Sequence, residues 1–512
     1  MKCPDIYAIY LPQFHETKHN NQWWGDGYTE WTAVKEAKPL FEGHRQPRIP
    51  LNENYYDLLC KDTMVSQAKL AKQYGVNGFV FYHYYFGNGN MELEKPAENL
   101  LRCQDIDMPF CFDWANPSWI RTWSKWSGNI WNTAHDKQAD TGDDGVLVKQ
   151  IYGDREEWGR HFFYMLSFFK DSRYIRIEDK PLLFIYEPDM IPFLKDMVQC
   201  WRRMARESGL QGLYVIGQKI WHNAAGLDAV MIDYTPWGYK KHKPTKVRTE
   251  NGVSIIDYED YWKETILLEP VDGVKTYFEG RCGYDNTPRN GKYGDVIAGQ
   301  TPELFQKNFS KLLKKSIYYE NEMVVIDAWN EWGEGMYIEP DEMDGAAYLE
   351  AVAQSRFAVE RITNDEIEAF GNEIERNNAT SDTKLRNTEK YRMFAGVYGV
   401  WVDLLQKERG IFCEYLEKRG FRRIAIYGMA EMGKKLLRQL EIEKVEVSYL
   451  IDQNVANIGD YVMLRPQDDL LEVDLIIITA YDDGGIKQLL RKKTQARVEH
   501  ISELLMKLAE EE

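Results

Sequence analysis

The sequence predicts a (β/α)8 barrel followed by a small Rossmann-like α/β domain. Three observations point there. Short apolar runs alternate with amphipathic stretches over the first two thirds of the chain. Those runs are continuous rather than alternating, as in parallel strands covered on both faces. Polar side chains also recur just after them, on the side where a barrel carries its site. The runs are Ile6–Leu11, Gly78–Tyr85, Phe110–Trp114, Leu182–Tyr186, Tyr214–Gly217, Ala229–Asp233, Thr276–Glu279 and Met323–Trp329. Helices are expected over Asp62–Tyr74, Glu157–Lys170, Asp189–Ser208, Pro302–Tyr319 and Gly345–Arg361, Thr301 and Pro302 giving a cap and a first turn. A doubly wound open sheet is the alternative. The expected boundaries are 1–362 for the barrel, 363–420 for a polar linker and helical segment, and 421–512 for the last domain. The helical part of that linker, Leu385–Arg419, carries apolar residues at helical spacing around Phe394, Val397, Trp401, Leu404 and Leu405.

At 512 residues the chain has room for more than one domain. A net charge of −17 disfavours nucleic acid and anionic lipid as partners. No apolar run reaches membrane-spanning length. The N-terminus lacks a charged region followed by an apolar one, so a cytoplasmic protein is expected. The seven Cys have neither metal-ligand nor redox spacing and read as reduced thiols. No metal site is expected.

Fifteen of the sixteen Trp lie at or before Trp332. Trp114, Trp119, Trp123, Trp126 and Trp131 crowd one polar segment, where aromatic faces suit the C–H faces of sugars. The densest chemistry is Val324-Val325-Ile326-Asp327-Ala328-Trp329-Asn330-Glu331-Trp332-Gly333-Glu334-Gly335. Here a buried strand runs into a loop with two carboxylates three residues apart. One carboxyl to protonate a leaving oxygen and one to act as base or nucleophile is what glycosidic cleavage needs. On a helical turn the two would share a side. A helix start capped by Asn330 is the bland alternative, disfavoured by Gly333 and Gly335.

Candidates for sugar contact follow from the strand ends. They are Gln13 and His15, His83 and Tyr84, Asp113, Trp114 and Asn116, Glu187, Asp233, and Asp285, Asn286 and Arg289. The last loop adds Trp329, Asn330, Trp332, Tyr337 and Glu339 to the catalytic candidates Glu331 and Glu334. His15 and His83 read equally well as core histidines.

Six separated motifs resemble the WbsX-type family. They are Tyr10-Leu11-Pro12-Gln13-Phe14-His15, Trp23-Trp24-Gly25, Tyr28-Thr29-Glu30-Trp31, Pro39-Leu40-Phe41-Glu42-Gly43-His44, Gly283-Tyr284-Asp285-Asn286-Thr287-Pro288-Arg289 and Ala328–Gly335. The resemblance spans about residues 5–360. It implies a glycosyltransferase of bacterial O-antigen or capsule synthesis, with oligosaccharide or polysaccharide as substrate, and adds Trp24, Glu30 and Trp31 as contacts. The WbsX-type barrel is similar in turn to glycoside hydrolase family 99, whose loop reads Asn-Glu-Trp-His-Glu-Gly; Gly333 replaces the His here. That likeness implies Glu331 as base toward a sugar 2-hydroxyl, Glu334 as acid and then base, and retention. Transferase and retaining endo-glycosidase both stay open, as does a non-catalytic sugar-binding barrel. No cofactor is required for this chemistry.

In the last domain, Gly428-Met429-Ala430-Glu431-Met432-Gly433 follows a strand and opens a helix, and Asp452 closes the next strand. Gly428, Gly433 and Asp452 are candidates for a nucleotide or nucleotide sugar, with Ala430 standing where a second glycine is expected. A docking or structural role is the equal alternative. Oligomeric state is not legible.

Overall fold

The computed structural model describes residues 2–120, 146–219, 226–234, 247–378, 410–453, 458, 461–480 and 485–510. Trp123, Trp126, Trp131 and the apolar positions 394–405 lie outside them. The chain divides into two units, Met1–Asn377 and Asn378–Glu512.

The first unit is the expected barrel. Its strands are β1 (Asp5–Tyr10), β2 (Gly78–Gly87), β3 (Phe110–Trp114), β4 (Lys180–Ile185), β5 (Tyr214–Gly217), β6 (Ala229–Ile232), β7 (Lys275–Arg281) and β8 (Met323–Asp327). They pair in parallel in the order β1-β8-β7-β6-β5-β4-β3-β2, and β1 pairs with β2 to close the ring. Every apolar run read as a strand is one. The runs are buried on both faces because the lumen and the helix layer each take alternate side chains.

That alternation is strict, and it sorts the polar residues. On β2, His83 and Tyr85 face outward, against His161 of helix Arg155–Phe169. Tyr82 and Tyr84 face the other way, into the lumen. On β3, Phe112 and Trp114 pack on Phe168, His161 and Trp201 of the outer helices, while Asp113 points inward. On β7, Glu279 and Arg281 face the lumen. Gly280 faces out, where an added Cβ would lie 2.6 Å from Trp262 and 2.7 Å from Leu312.

Outer helices Lys61–Gln73, Lys95–Arg102, Arg155–Phe169, Leu194–Glu207, Tyr258–Leu267, Pro302–Tyr318 and Ala347–Val359 complete the wall. A four-stranded rim sheet joins Val247–Glu250, Val253–Asp257, Asp295–Ala298 and Tyr284–Asp285. It braces the loop after β7. The expected linker begins differently from its sequence reading: residues 364–378 are helical. Ile367 and Ile374 recur at helical spacing and join the core of the first unit, with Phe370 packed against it, so a few apolar residues among many polar ones dock that helix.

The second unit is a five-stranded parallel sheet. Its strands are β9 (Ile424–Tyr427), β10 (Val447–Ile451), β11 (Met463–Leu464), β12 (Leu475–Ile478) and β13 (Arg497–His500), in the order β11-β10-β9-β12-β13. Core clusters cover both faces, the doubly wound arrangement read from the sequence. β11 and β13 are too short or too polar for their periodicity to show them.

Gly280→Ala is expected to destabilise the protein by about 1–3 kcal/mol, because two rigid wall side chains must retreat from the new methyl group. Urea denaturation of the full chain checks this.

Candidate active site

The loop after β8 is built on a buried scaffold. Asn330 accepts from the Leu11 N–H at 2.7 Å and donates to the Leu11 carbonyl at 3.0 Å, tying the loop to the end of β1. Glu339 holds it from the other side. One of its oxygens accepts from Trp329 Nε1 at 2.9 Å and Gln67 Nε2 at 2.7 Å. The other accepts from Trp332 Nε1 and the Tyr56 hydroxyl, each at 2.8 Å. Burial raises the Glu339 carboxyl above its usual range against these four donors.

Asn330–Glu331 and Met336–Tyr337 form a minimal antiparallel pair around a 3-10 turn, Trp332–Glu334. Gly335 closes the turn with a φ of 60°, which glycine adopts without strain. Three residues per turn eclipse positions i and i+3. Glu331 and Glu334 therefore leave the turn on one side.

Both reach one guanidinium. Arg289 donates through Nη2 to Glu331 at 3.1 Å, through Nη1 to Glu334 at 2.5 Å and through Nε to Glu30 at 2.7 Å. Arg289 sits on the short helix Thr287–Asn290, whose Thr287 N–H donates to Asp285. His44 and Gln46 fix that Asp285 carboxylate in turn. Glu30 opens helix Glu30–Glu36, where the helix dipole favours a carboxylate. Glu331 is 5% exposed, whereas the Glu334 side chain keeps 22% of its surface open. Burial first, then Glu334, Glu30 and Asp327, push the Glu331 carboxyl well above the usual carboxylate range, against the pull of Arg289.

Beneath them the lumen is acidic. Arg281 pairs with Asp233 at 2.6 Å and Asp327 at 3.2 Å. Glu279 lies beside Asp327, and burial first, then Asp327 and Asp233, push its carboxyl well above the usual carboxylate range. Burial lifts Asp113 to about 7, though Gln218 donates to it at 2.7 Å. Tyr82, Tyr84, Tyr186 and Lys219 are half-buried around the same mouth. Tyr82, Tyr186, Gln218, Lys219, Glu279, Arg281 and Asp327 line it too and are not among the candidates read from the sequence. The parity of Asp113 and Glu279 within their strands was the signal for several of them.

Several candidates prove to be braces. Trp329, Trp332, Asn330 and Glu339 are enclosed in the scaffold above, and Tyr337 stacks on Trp332 at 3.7 Å and donates to Asp341. Trp31 donates to the Tyr56 carbonyl and packs on Trp332. His15 closes its own turn on the Pro12 carbonyl. His83, whose ring lies 2.9 Å from that of His161, and Trp114 face the helices because strand parity turns them outward. Asn116 is a latch that holds Glu187 through its N–H and carbonyl, both at 2.8 Å. Asp285 caps the Arg289 helix, and Asn286 accepts from Asp295 N and donates to Tyr284. Gln13 accepts the Glu30 N–H through its carbonyl, and Trp24 lies half-buried beside Tyr28. Tyr84, Asp113, Asp233 and Arg289 remain at the mouth with the two glutamates.

In the second unit, Asp452 accepts from the Met429 N–H at 2.6 Å, so the acid expected for a ribose braces the turn itself. A Cβ on Gly433 would meet the Gly428 carbonyl at 1.9 Å. The glycine is there for close approach of helix and turn. Among the described residues no group of three or more His, Cys, Asp or Glu is arranged to hold a metal, and no helix is long and apolar enough to cross a membrane.

Residues 6–352 match the family described as glycosyltransferase WbsX. The chain belongs to that family. Its barrel is thereby a member of a carbohydrate-active group. It is 31% identical over 363 residues to the WxcX proteins of two Xanthomonas campestris pv. campestris strains, B100 and ATCC 33913. That alignment covers 68% of this chain and 49% of each relative, so the chain spans about half the length of the curated relatives it matches. Among solved structures it is similar to a glycoside hydrolase-like protein, with 14% identity, 69% and 94% of the two chains covered and a TM-score of 0.43. It is also similar to the GH99 endo-alpha-mannosidase from Bacteroides thetaiotaomicron, with 13% identity, 72% and 98% covered and a TM-score of 0.40. At those scores neither likeness carries weight beside the geometry.

Gly333 is the tightest point of the WbsX-family loop. A Cβ there would lie 1.7 Å from Glu30 Oε1 and 2.9 Å from Arg289 Nε. Gly333→Ala is expected to expel the Glu30 carboxylate and cost about 1–3 kcal/mol of stability, read by chemical denaturation.

Proposed function

We propose that the barrel cleaves or transfers glycosidic bonds with retention, using Glu331 and Glu334 as its acid/base pair, in the building of a bacterial surface polysaccharide. One observation carries the reading. Two glutamates from one tight turn converge on a single guanidinium at the carboxyl-end mouth of a closed barrel, where such enzymes hold their sites. Glu331, the more buried, draws the proton of a sugar 2-hydroxyl, and the freed oxygen attacks the anomeric carbon. Glu334, open to solvent on one side, protonates the departing oxygen. It then takes a proton from the incoming water or sugar hydroxyl as that group attacks the anomeric carbon from the side the leaving group vacated, and Glu331 returns its proton to the 2-oxygen as the C1–O2 bond breaks. Two inversions give net retention. The lumen carboxylates Asp113 and Asp233, with Tyr84, supply partners for sugar hydroxyls. Family membership supports a saccharide substrate; water as acceptor makes the enzyme a hydrolase, and a sugar acceptor makes it a transferase.

Incubation with a panel of defined oligosaccharides, with and without nucleotide-sugar donors, tests this. Products of retained anomeric configuration are expected by NMR, and Glu331→Gln and Glu334→Gln are each expected to lower turnover by about a hundredfold or more. Normal turnover in both variants rejects the assignment.

The pH profile follows from the same roles. A base must be ionised, and the Glu331 carboxyl is raised by burial. The acid limb of kcat/KM is therefore expected above the ~4.3 of an ordinary glutamate, with activity lost as pH falls through it.

A further inference from the structure

Beside the two glutamates the site contains a third carboxylate and the cation that joins all three. Arg289 gives each of its three nitrogens to a different acid. One positive charge then faces three carboxyl groups. Glu30 is 2% exposed and its oxygen fills the space over Gly333, the residue between the two glutamates. A side chain at position 333 would remove it. Glu30 also comes from a different element, the second helix after β1, and its backbone N–H is held by Gln13. The charge on Arg289 is thus shared out by a group that touches neither an exposed surface nor the mouth.

We propose that Glu30 and Arg289 act as a positioning pair for the Glu331/Glu334 site: Arg289 holds the two glutamates at one spacing, and Glu30 sets how much of the guanidinium charge reaches them. This rests on the acid/base reading of that pair and adds to it a means of setting the pair's protonation. The charged and titratable groups facing Glu331 are Arg289 from the loop after β7, Glu30 from its helix, Glu334 on the same turn, Asp327 at the end of β8, and the Tyr82 and Tyr84 hydroxyls of β2. Arg289 alone favours the ionised form. Glu30 and Glu334 oppose it, and burial opposes it most.

The two members of the pair therefore act with opposite sign. Removing the cation takes away the group that stabilises the Glu331 carboxylate. Removing the Glu30 charge, with nearly the same shape kept in Gln, releases more of the guanidinium to Glu331. A pair that served only to fill space would loosen the site in both cases and move Glu331 in one direction.

The test reads Glu331 itself, without substrate. In the full-length protein, the carboxylic-acid C=O stretch lost in Glu331→Gln is followed by infrared difference spectroscopy as pH is varied. In Arg289→Gln its midpoint is expected to rise by about one pH unit or more, and in Glu30→Gln to fall by about one unit or less. Arg289→Lys keeps a cation and is expected to lie between the wild type and Arg289→Gln. No shift, shifts of both Gln variants in one direction, or a wild type with no titrating band removed by Glu331→Gln overturns the proposal. Because no turnover is measured, failure of the oligosaccharide panel and failure of this titration are separate results.

Discussion

Closure of the sheet through β1 is the constraint on which the rest depends. β1 is the strand that pairs with both ends of the run, β8 on one side and β2 on the other. Without the pairing of β1 with β8, residue 30 would lie on the edge opposite residues 289 and 331, which follow the neighbouring strands β7 and β8. Closed, the sheet puts the loops after β1, β7 and β8 side by side, and a helix start, a capped turn and a 3-10 turn meet at one guanidinium. The tie between Asn330 and both backbone groups of Leu11 extends that closure past the last ladder bond. It replaces a strand partner with a side-chain amide that has the same donor and acceptor.

Around this point the protein spends its aromatic residues on rigidity. Trp329 and Trp332 donate to Glu339, Trp31 lies on Trp332, and Tyr337 stacks beneath it. Large side chains with one polar atom suit this use, since each buries much surface and still finds a fixed hydrogen-bond partner. The polar groups at the mouth are then held by neighbours that have few ways to move. That is the condition for preorganised acid/base chemistry. Carboxylates outnumber cations there, and burial raises the carboxyls of Glu279, Glu331 and Asp113 above their usual range.

The reading of separate residues succeeded where chemistry and local pattern coincide. Eight continuous apolar runs are eight strands, and Glu331 and Glu334, singled out by their spacing, reach one guanidinium. It failed where function depends on which way a side chain leaves its strand. His83 and Trp114 lie at strand ends as expected, yet parity turns both into the helix layer. Trp332 and Glu339 carry residue types that suit sugar contact and instead frame the loop after β8. Nothing in a run of residues distinguishes an aromatic that meets a ligand from one that meets a buried carboxylate across 7 positions.

The sequence by itself determined the parallel barrel, the doubly wound second unit, the family and the acidic pair, because apolar periodicity and short-range spacing are properties of the chain. Only the tertiary structure decided that Arg289 joins Glu30, Glu331 and Glu334. Those residues are as far as 304 positions apart in the chain. Which charges share one buried space is set by closure of the ring, and local pattern holds no record of it.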